Sequence, residues 1–292
     1  MFNLKAKDMR DAYIKFNHYL FWNNAFQYIR GGVTAHSFQD SIFMESAACD
    51  LHLHDMNYAP AKWRMLIRLY LNPVELGKMV QRLNHYNSQK KHKNKYVPDI
   101  AMQFNARDNA SGACLLNLSV GFHQGQWHAV VNTRASEVTT RWFADLIFIY
   151  VLLREIGDKV GFNPDYMTLR WNMTSSYQSI TGTPFFLAFE GNEQWLKDFF
   201  NEEGELIEAE TVGLPHWQVA TIKRYKKVFV DKNYSNFRTQ ERVMKAYEVL
   251  IGEREGHYVP TESLTLPGYD INHIMDKLSC DELEMFGGDG DE

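Results

Sequence analysis

The stretch from Cys114 to Asp145, CLLNLSVGFHQGQWHAVVNTRASEVTTRWFAD, constrains the fold more than any other part of the chain. Apolar and polar residues alternate on both sides of Gln124-Gly125-Gln126, the pattern of two paired strands around a tight turn. Cys114 then opens one strand and Arg134 closes the next. Residues 142–156 follow as an apolar run long enough for a buried helix, with Gly157 and Asp158 as its stop.

The flanking sequence extends this pattern. Residues 8–26 place Met9, Tyr13, Phe16 and Leu20 at helical spacing, with Ile14 and Phe21 beside them, and Gly31-Gly32 ends the predicted helix. Residues 48–58 alternate over Leu51-His52-Leu53-His54 as a short strand or extended loop. Pro60 then opens a helix through Leu71, and Asn72-Pro73 separates it from another over 74–86. The basic run SQKKHKNKYVPD predicts an exposed loop before a strand at 100–105. A strand at 167–173 and helical pattern at 193–201 and 236–251 complete the reading. No Pro/Gly/Ser-rich linker divides the chain, so one domain is expected over 1–280, followed by a disordered acidic tail over 281–292. No internal repeat is found.

Composition narrows the function classes. Apolar residues make up 45% and aromatics 14% of the 292 residues, which excludes general disorder. No apolar run reaches the ~20 residues of a membrane span, and MFNLKAKDMRDAY lacks a signal-peptide pattern, so no membrane association and a cytoplasmic location are expected. The net charge of -5 argues against binding long nucleic acid through overall charge, and leaves small anionic ligands open. Cys49, Cys114 and Cys280 are too few and scattered for a disulfide framework, which favours reduced thiols.

Three residues of the central stretch stand out chemically. Cys114, taken alone, is a small buried hydrophobe or a nucleophile. Arg134 ends the apolar strand VVNTR, where a guanidinium needs solvent, an anion such as phosphate, or a pair with Glu137. Asp145 lies between Trp142-Phe143-Ala144 and Leu146-Ile147-Phe148, where an unpaired carboxylate is costly. Its partner is either a structural arginine, Arg141 or Arg154, or the exocyclic amine of a bound base.

The spacing from Cys114 to Arg134, the segment HAVVNTRAS and the later Asp145 together resemble the thymidylate synthase superfamily, and more closely its phage deoxycytidylate hydroxymethylase branch. Asn57-Tyr58 with Trp63, and Trp171-Asn172 followed by Tyr177, are similar to further family segments. The resemblance implies a single-domain α/β (α+β) fold, a mixed β-sheet flanked by helices, and a homodimer through the sheet face. It implies Cys114 as nucleophile, Asp145 as reader of cytosine and Tyr58 in the proton relay. Arg134, Ser136, Tyr177, Asn172, Lys91 and Lys93 would bind substrate, the lysines standing where the family's second subunit donates arginines. Glu137 and Trp63 would contact 5,10-methylenetetrahydrofolate. The implied reaction is hydroxymethylation of dCMP at C5, in a phage-infected bacterium, to supply a modified nucleotide for DNA.

The sequence departs from the family on the one-carbon side. Asn17 stands where an early-helix glutamate is catalytic, Glu137 replaces a pterin-contacting aspartate, Arg141 replaces a glycine near the folate site, and Ala135 replaces a serine. Two other readings therefore stand beside the first: a related enzyme that modifies C5 without folate, and a noncatalytic nucleotide-binding relative. CDLHLHD, residues 49–55, places His52 and His54 on one strand face, but no CxxC or HxE companion occurs and no metal is expected there.

Overall fold

A computed structural model describes residues 2–23, 27–29, 32–53, 60–88, 96–104, 114–139, 141–179 and 199–214, with positions 219, 222, 223 and 226. It is a mixed α/β structure, built from two parallel strand-helix-strand units and a hairpin. In the first unit β1 (Phe2–Ala6) leads through α1 (Met9–Asn23) and the short β2 (Gln27–Ile29) to β3 (Gly32–Met44), which runs parallel to β1. Two helices, α2 (Pro60–Tyr70) and α3 (Pro73–Ser88), follow, and then β4 (Val97–Gln103). The hairpin is β5 (Leu115–His123) and β6 (Gln126–Glu137). In the second unit β6 leads through α4 (Arg141–Val160) to β7 (Thr168–Ser179), parallel to β6. An antiparallel β3–β7 pair joins the units, so the sheet order is β1-β3-β7-β6-β5-β4, with β2 also paired to β3.

The hairpin turn has a simple cause. Gln124 and Gly125 both take positive φ, 51° and 83°, as a two-residue turn matched to the right-handed strand twist requires. Along β6, Ala129, Val131 and Thr133 are buried while Val130 and Asn132 are half-buried. On β7, Leu169, Trp171 and Met173 are buried between exposed or half-buried Arg170, Asn172 and Thr174. The inward set faces α1 and α4, while α3 packs against β4 and α4. The opposite face carries a hydrogen-bonded polar row: Ser41 Oγ donates to Asn172 Oδ1 at 2.9 Å, Asn172 Nδ2 to Asn132 Oδ1 at 2.9 Å, and Asn132 Nδ2 to Asn117 Oδ1 at 2.7 Å.

α4 is the middle helix. It contacts β6, α1 and α3, and every residue from Trp142 to Leu153 is buried, as expected of a helix apolar on all sides. Its end differs from the sequence expectation. Gly157 lies inside the helix, which continues to Val160 and closes at Gly161 with φ 91°. The chain turns back so tightly that the N–H groups of Gly161 and Phe162 both donate to the Gly157 carbonyl, at 2.7 and 3.1 Å. A Cβ on Gly157 would overlap the Phe162 carbonyl oxygen and meet its ring at 3.2 Å.

The first helix also ends earlier than its pattern predicts, at Asn23 rather than at Gly31-Gly32, and β1, β2 and most of β3 were not legible in the sequence. Among the described residues no helix is long and apolar enough to cross a membrane. The expected helix at 236–251, the tail at 281–292 and nearly all of the expected helix at 193–201 lie outside the described residues.

Gly157→Ala separates packing from helix propensity. On an open helix face the change stabilises by about 1 kcal/mol; here, overlap with a backbone oxygen predicts destabilisation of about 1–3 kcal/mol. Urea denaturation at neutral pH reads the sign directly.

Candidate active site

The site forms where the carboxyl end of β6 meets the first turn of α4, a position at which open α/β sheets commonly bind ligands. Cys114 sits beside it, one residue before β5, and its carbonyl accepts from the Arg134 N–H at 2.9 Å. The β5–β6 register slips by one residue between Leu115 and Asn117. This bulge turns Leu115 inward and leaves Leu116 41% exposed, ending the regular alternation at the mouth of the strand.

Glu137 fixes the start of α4. Its Oε1 accepts from the Thr139 N–H in the turn before the helix at 3.1 Å and its Oε2 from the Arg141 N–H at 3.2 Å, the latter a first-turn N–H that has no intrahelical acceptor. Arg141 and Asp145 then stand one turn apart on one face of the helix. A cation in the first helical turn is at the unfavourable end of the helix dipole. Arg141 is held there beside Cys114, Tyr177, Tyr70 and Asp145: burial pulls its guanidinium down, and the charge these groups carry when they ionise outweighs this and raises it.

These interactions define one cluster. Burial and the nearby Asp145 carboxylate push the Cys114 thiol up, and the charge and hydrogen bond of Arg141 with the charge of Arg134 offset only part of that rise. Tyr70, at the end of α2, is buried; its hydroxyl is raised by burial and by Asp145 and Cys114, and a hydrogen bond with the Cys114 backbone opposes the rise. Tyr177, opposite Glu137 in the β6–β7 register, is raised by burial and then by Glu137. The His36 ring stacks on it at 5.6 Å.

Asp145 is the most unusual member. It is 2% exposed, burial pushes its carboxyl up to about 7 against the opposing charge of Arg141, and its Oδ2 has no hydrogen-bond partner among the described residues. A carboxyl of this kind is close to half protonated at neutral pH. It is able to give a proton to, and accept a hydrogen bond from, a group brought against it.

Of the residues singled out in the sequence, Cys114, Arg134, Arg141, Asp145 and Tyr177 therefore fall in one cluster, with Arg141 the arginine beside Asp145, and Tyr70 joins them. Ser136 is buried on β6, and its Oγ has no partner among the described residues. Asn172 lies in the polar row on the opposite sheet face, with both ends of its amide bonded. Trp63 is buried, its ring edge-on to Phe148 of α4 at 6.2 Å. Tyr58, Lys91 and Lys93 lie outside the described residues. Asn17 is fully buried, with its Nδ2 donating to the carbonyls of Tyr13 and Val138 at 2.9 and 3.1 Å. Tyr70 gave no signal in the sequence, since a tyrosine in an amphipathic helix reads as core. No protein-family model and no curated protein matches this sequence.

The buried carboxyl links stability to pH. Its folded value, about 7, exceeds the usual 3.8, so its contribution is fully present below about pH 4 and is lost as pH rises through about 7. At about 1.4 kcal/mol per pH unit, the loss reaches up to about 4 kcal/mol. Asp145→Asn lacks this titration. Its stability relative to wild type is therefore expected to rise by up to that amount between about pH 4 and pH 8. Denaturant titrations across the range that show a constant difference would contradict a protonated buried carboxyl.

Proposed function

We propose that this chain substitutes C5 of a cytosine nucleoside monophosphate, dCMP in the first instance, through a covalent bond from Cys114. The observation that carries the reading is a half-buried thiol flanked by two arginines beside a buried carboxyl with an oxygen that has no hydrogen-bond partner among the described residues. A structural cysteine needs neither neighbour, and a structural carboxylate at this depth is ordinarily paired.

The steps follow from the chemistry of the ring. The Cys114 thiolate adds to C6, and the ring electrons it displaces make N3 basic and C5 nucleophilic. Asp145, titrating near neutrality, gives N3 its proton and keeps a hydrogen bond to the amine at C4. C5 forms its new bond to an electrophile and loses its proton to solvent, departure of the thiolate from C6 restores the C5–C6 double bond, and N3 returns its proton to Asp145. Arg141 stabilises the attacking thiolate. Arg134, exposed at the end of β6, provides the cation for the phosphate, and Tyr177 lies on the sugar side. The same reading gives the fold as the thymidylate synthase type and pairs two copies through the sheet face opposite the helices.

The resemblance implies 5-hydroxymethyl-dCMP as product and methylenetetrahydrofolate as one-carbon donor. The described residues do not fit that donor. Glu137 engages both carboxylate oxygens in starting α4, Trp63 is buried against Phe148, and Asn17 bonds core carbonyls where the family has a catalytic glutamate. These three placements favour the second reading, C5 substitution with a different electrophile.

The test is turnover of dCMP and dUMP, each with and without methylenetetrahydrofolate, with products identified by mass spectrometry. A 5-substituted dCMP is expected from wild type and not from Cys114→Ala. Asp145→Asn is expected to lower kcat/KM for dCMP by about 10²–10³ and to shift preference toward dUMP. A hydroxymethyl product that requires folate would overturn the second reading alone. No product from either nucleotide, or a product that survives Cys114→Ala, would overturn the proposal.

A further inference from the structure

At the other end of the β5–β6 hairpin, three side chains from three strands converge: Asp99 of β4, His123 of β5 and His128 of β6. Strand rise places them about 23–30 Å from Cys114 along β5, so they take no part in the chemistry proposed above. His128 Nε2 and Asp99 Oδ1 are 2.6 Å apart, and His123 Nε2 lies 3.4 Å from the same oxygen. One ligand atom from each residue falls within 4.8 Å of the other two. We infer that Asp99, His123 and His128 form a site for one divalent transition-metal ion of the zinc class.

Three features distinguish this arrangement from a surface histidine beside an aspartate. A single His128–Asp99 pair would be complete at 2.6 Å, yet a second imidazole is directed at the same oxygen. His123 Nε2 is itself buried and finds no hydrogen-bond partner among the described residues. It therefore presents a nitrogen to the cluster with only its 3.4 Å approach to Asp99 Oδ1 and no hydrogen bond among the described residues.

The backbone is also shaped for the convergence. Between Val97 and Ile100 the β4–β5 register slips, so that Pro98 and Asp99 oppose the single residue Gly121. Such a bulge redirects a side chain out of the regular alternation. Gly121 pairs with His128 across β5 and β6. Any Cβ at Gly121 would overlap the Asp99 carboxylate and press on His128 Cε1 at 3.1 Å. The absence of a side chain at Gly121 is what lets the carboxylate and the imidazole meet.

The ligand types and spacings suit zinc. Zinc bonds of about 2.0–2.2 Å in tetrahedral geometry put neighbouring ligand atoms about 3.3–3.4 Å apart. The His123–Asp99 separation, 3.4 Å, already has this value. The His128–Asp99 separation must open by about 0.7 Å to reach it, a small rotation for an Asp99 side chain that is 53% exposed. Two neutral imidazoles and one carboxylate leave a fourth position for water. The Tyr96 ring stands edge-on to His123 at 4.6 Å and limits its rotation. An ion here would tie the edge strand β4 to the hairpin and add directly to stability.

The experiment uses the full chain, stripped of metal and titrated with Co²⁺ and then Zn²⁺, read by visible absorption and by thermal melting. One equivalent of Co²⁺ is expected to give the absorption of a nitrogen- and oxygen-ligated ion, and one equivalent of Zn²⁺ to displace it and raise Tm. His123→Gln, His128→Gln and the near-isosteric Asp99→Asn are each expected to weaken binding at least about tenfold, while Cys114→Ala leaves it unchanged. Far-UV circular dichroism verifies that each variant is folded, and the Asp99 variant decides the matter if a histidine variant is not. No absorption and no Tm shift at 100-fold excess of metal would overturn the inference. Binding that persists undiminished in the folded variants would also overturn it, by locating the ion elsewhere. Every readout is independent of turnover, so failure here and failure of the Cys114 reading are separable.

Discussion

Burial of α4 on all sides governs both the fold and the site. A helix this apolar needs cover around its whole circumference, which β6, α1 and α3 help to supply. Within the buried run from Trp142 to Leu153, Asp145 is the one ionisable carboxyl. The same packing that stabilises the helix removes water from that carboxyl and pushes it to about 7. Its protonation behaviour is therefore a property of the core, set one helical turn after the chain leaves β6.

The thiol is the counterpart on the sheet. A bulge in β5 and the backbone bond from Arg134 hold Cys114 at the strand mouth. Arg141, anchored by the Glu137 cap, reaches it from the helix. Sheet register and helix capping thus place a thiol, a guanidinium and a buried carboxyl together. Glu137 has a role here that needs no ligand, because it orients the helix turn that carries the other two groups.

Much of this was legible in the sequence where a pattern was local. The hairpin and α4 lie within a short stretch, and their periodicities survive in the structure, with the break expected over Gln124-Gly125-Gln126 narrowing to Gln124 and Gly125. β3 was not legible because its inward residues are not uniformly apolar. Asp40 is buried there and accepts from Ser37 Oγ at 2.7 Å and from Ser176 Oγ on β7 at 2.6 Å, so alternation fails just where a polar pair crosses strands. Gly157 was misread because a glycine near a helix end signals a stop, whereas this one permits close return of the chain. Asp99, His123 and His128 were invisible for another reason: their spacing has meaning only once β4, β5 and β6 are in register. Tyr70 joins the site from α2 through tertiary packing alone.

The central claim is that Cys114 adds to C6 of a cytosine nucleotide and thereby activates C5. Hydrogen exchange at C5 of dCMP in D₂O, followed by proton NMR, reads that step without any second substrate. Addition, deuteration at C5 and elimination of the thiol would erase the H5 signal and collapse the H6 doublet to a singlet. The account predicts this exchange with wild-type protein and none above background with Cys114→Ser. Retention of H5 at the background rate with both proteins would contradict it.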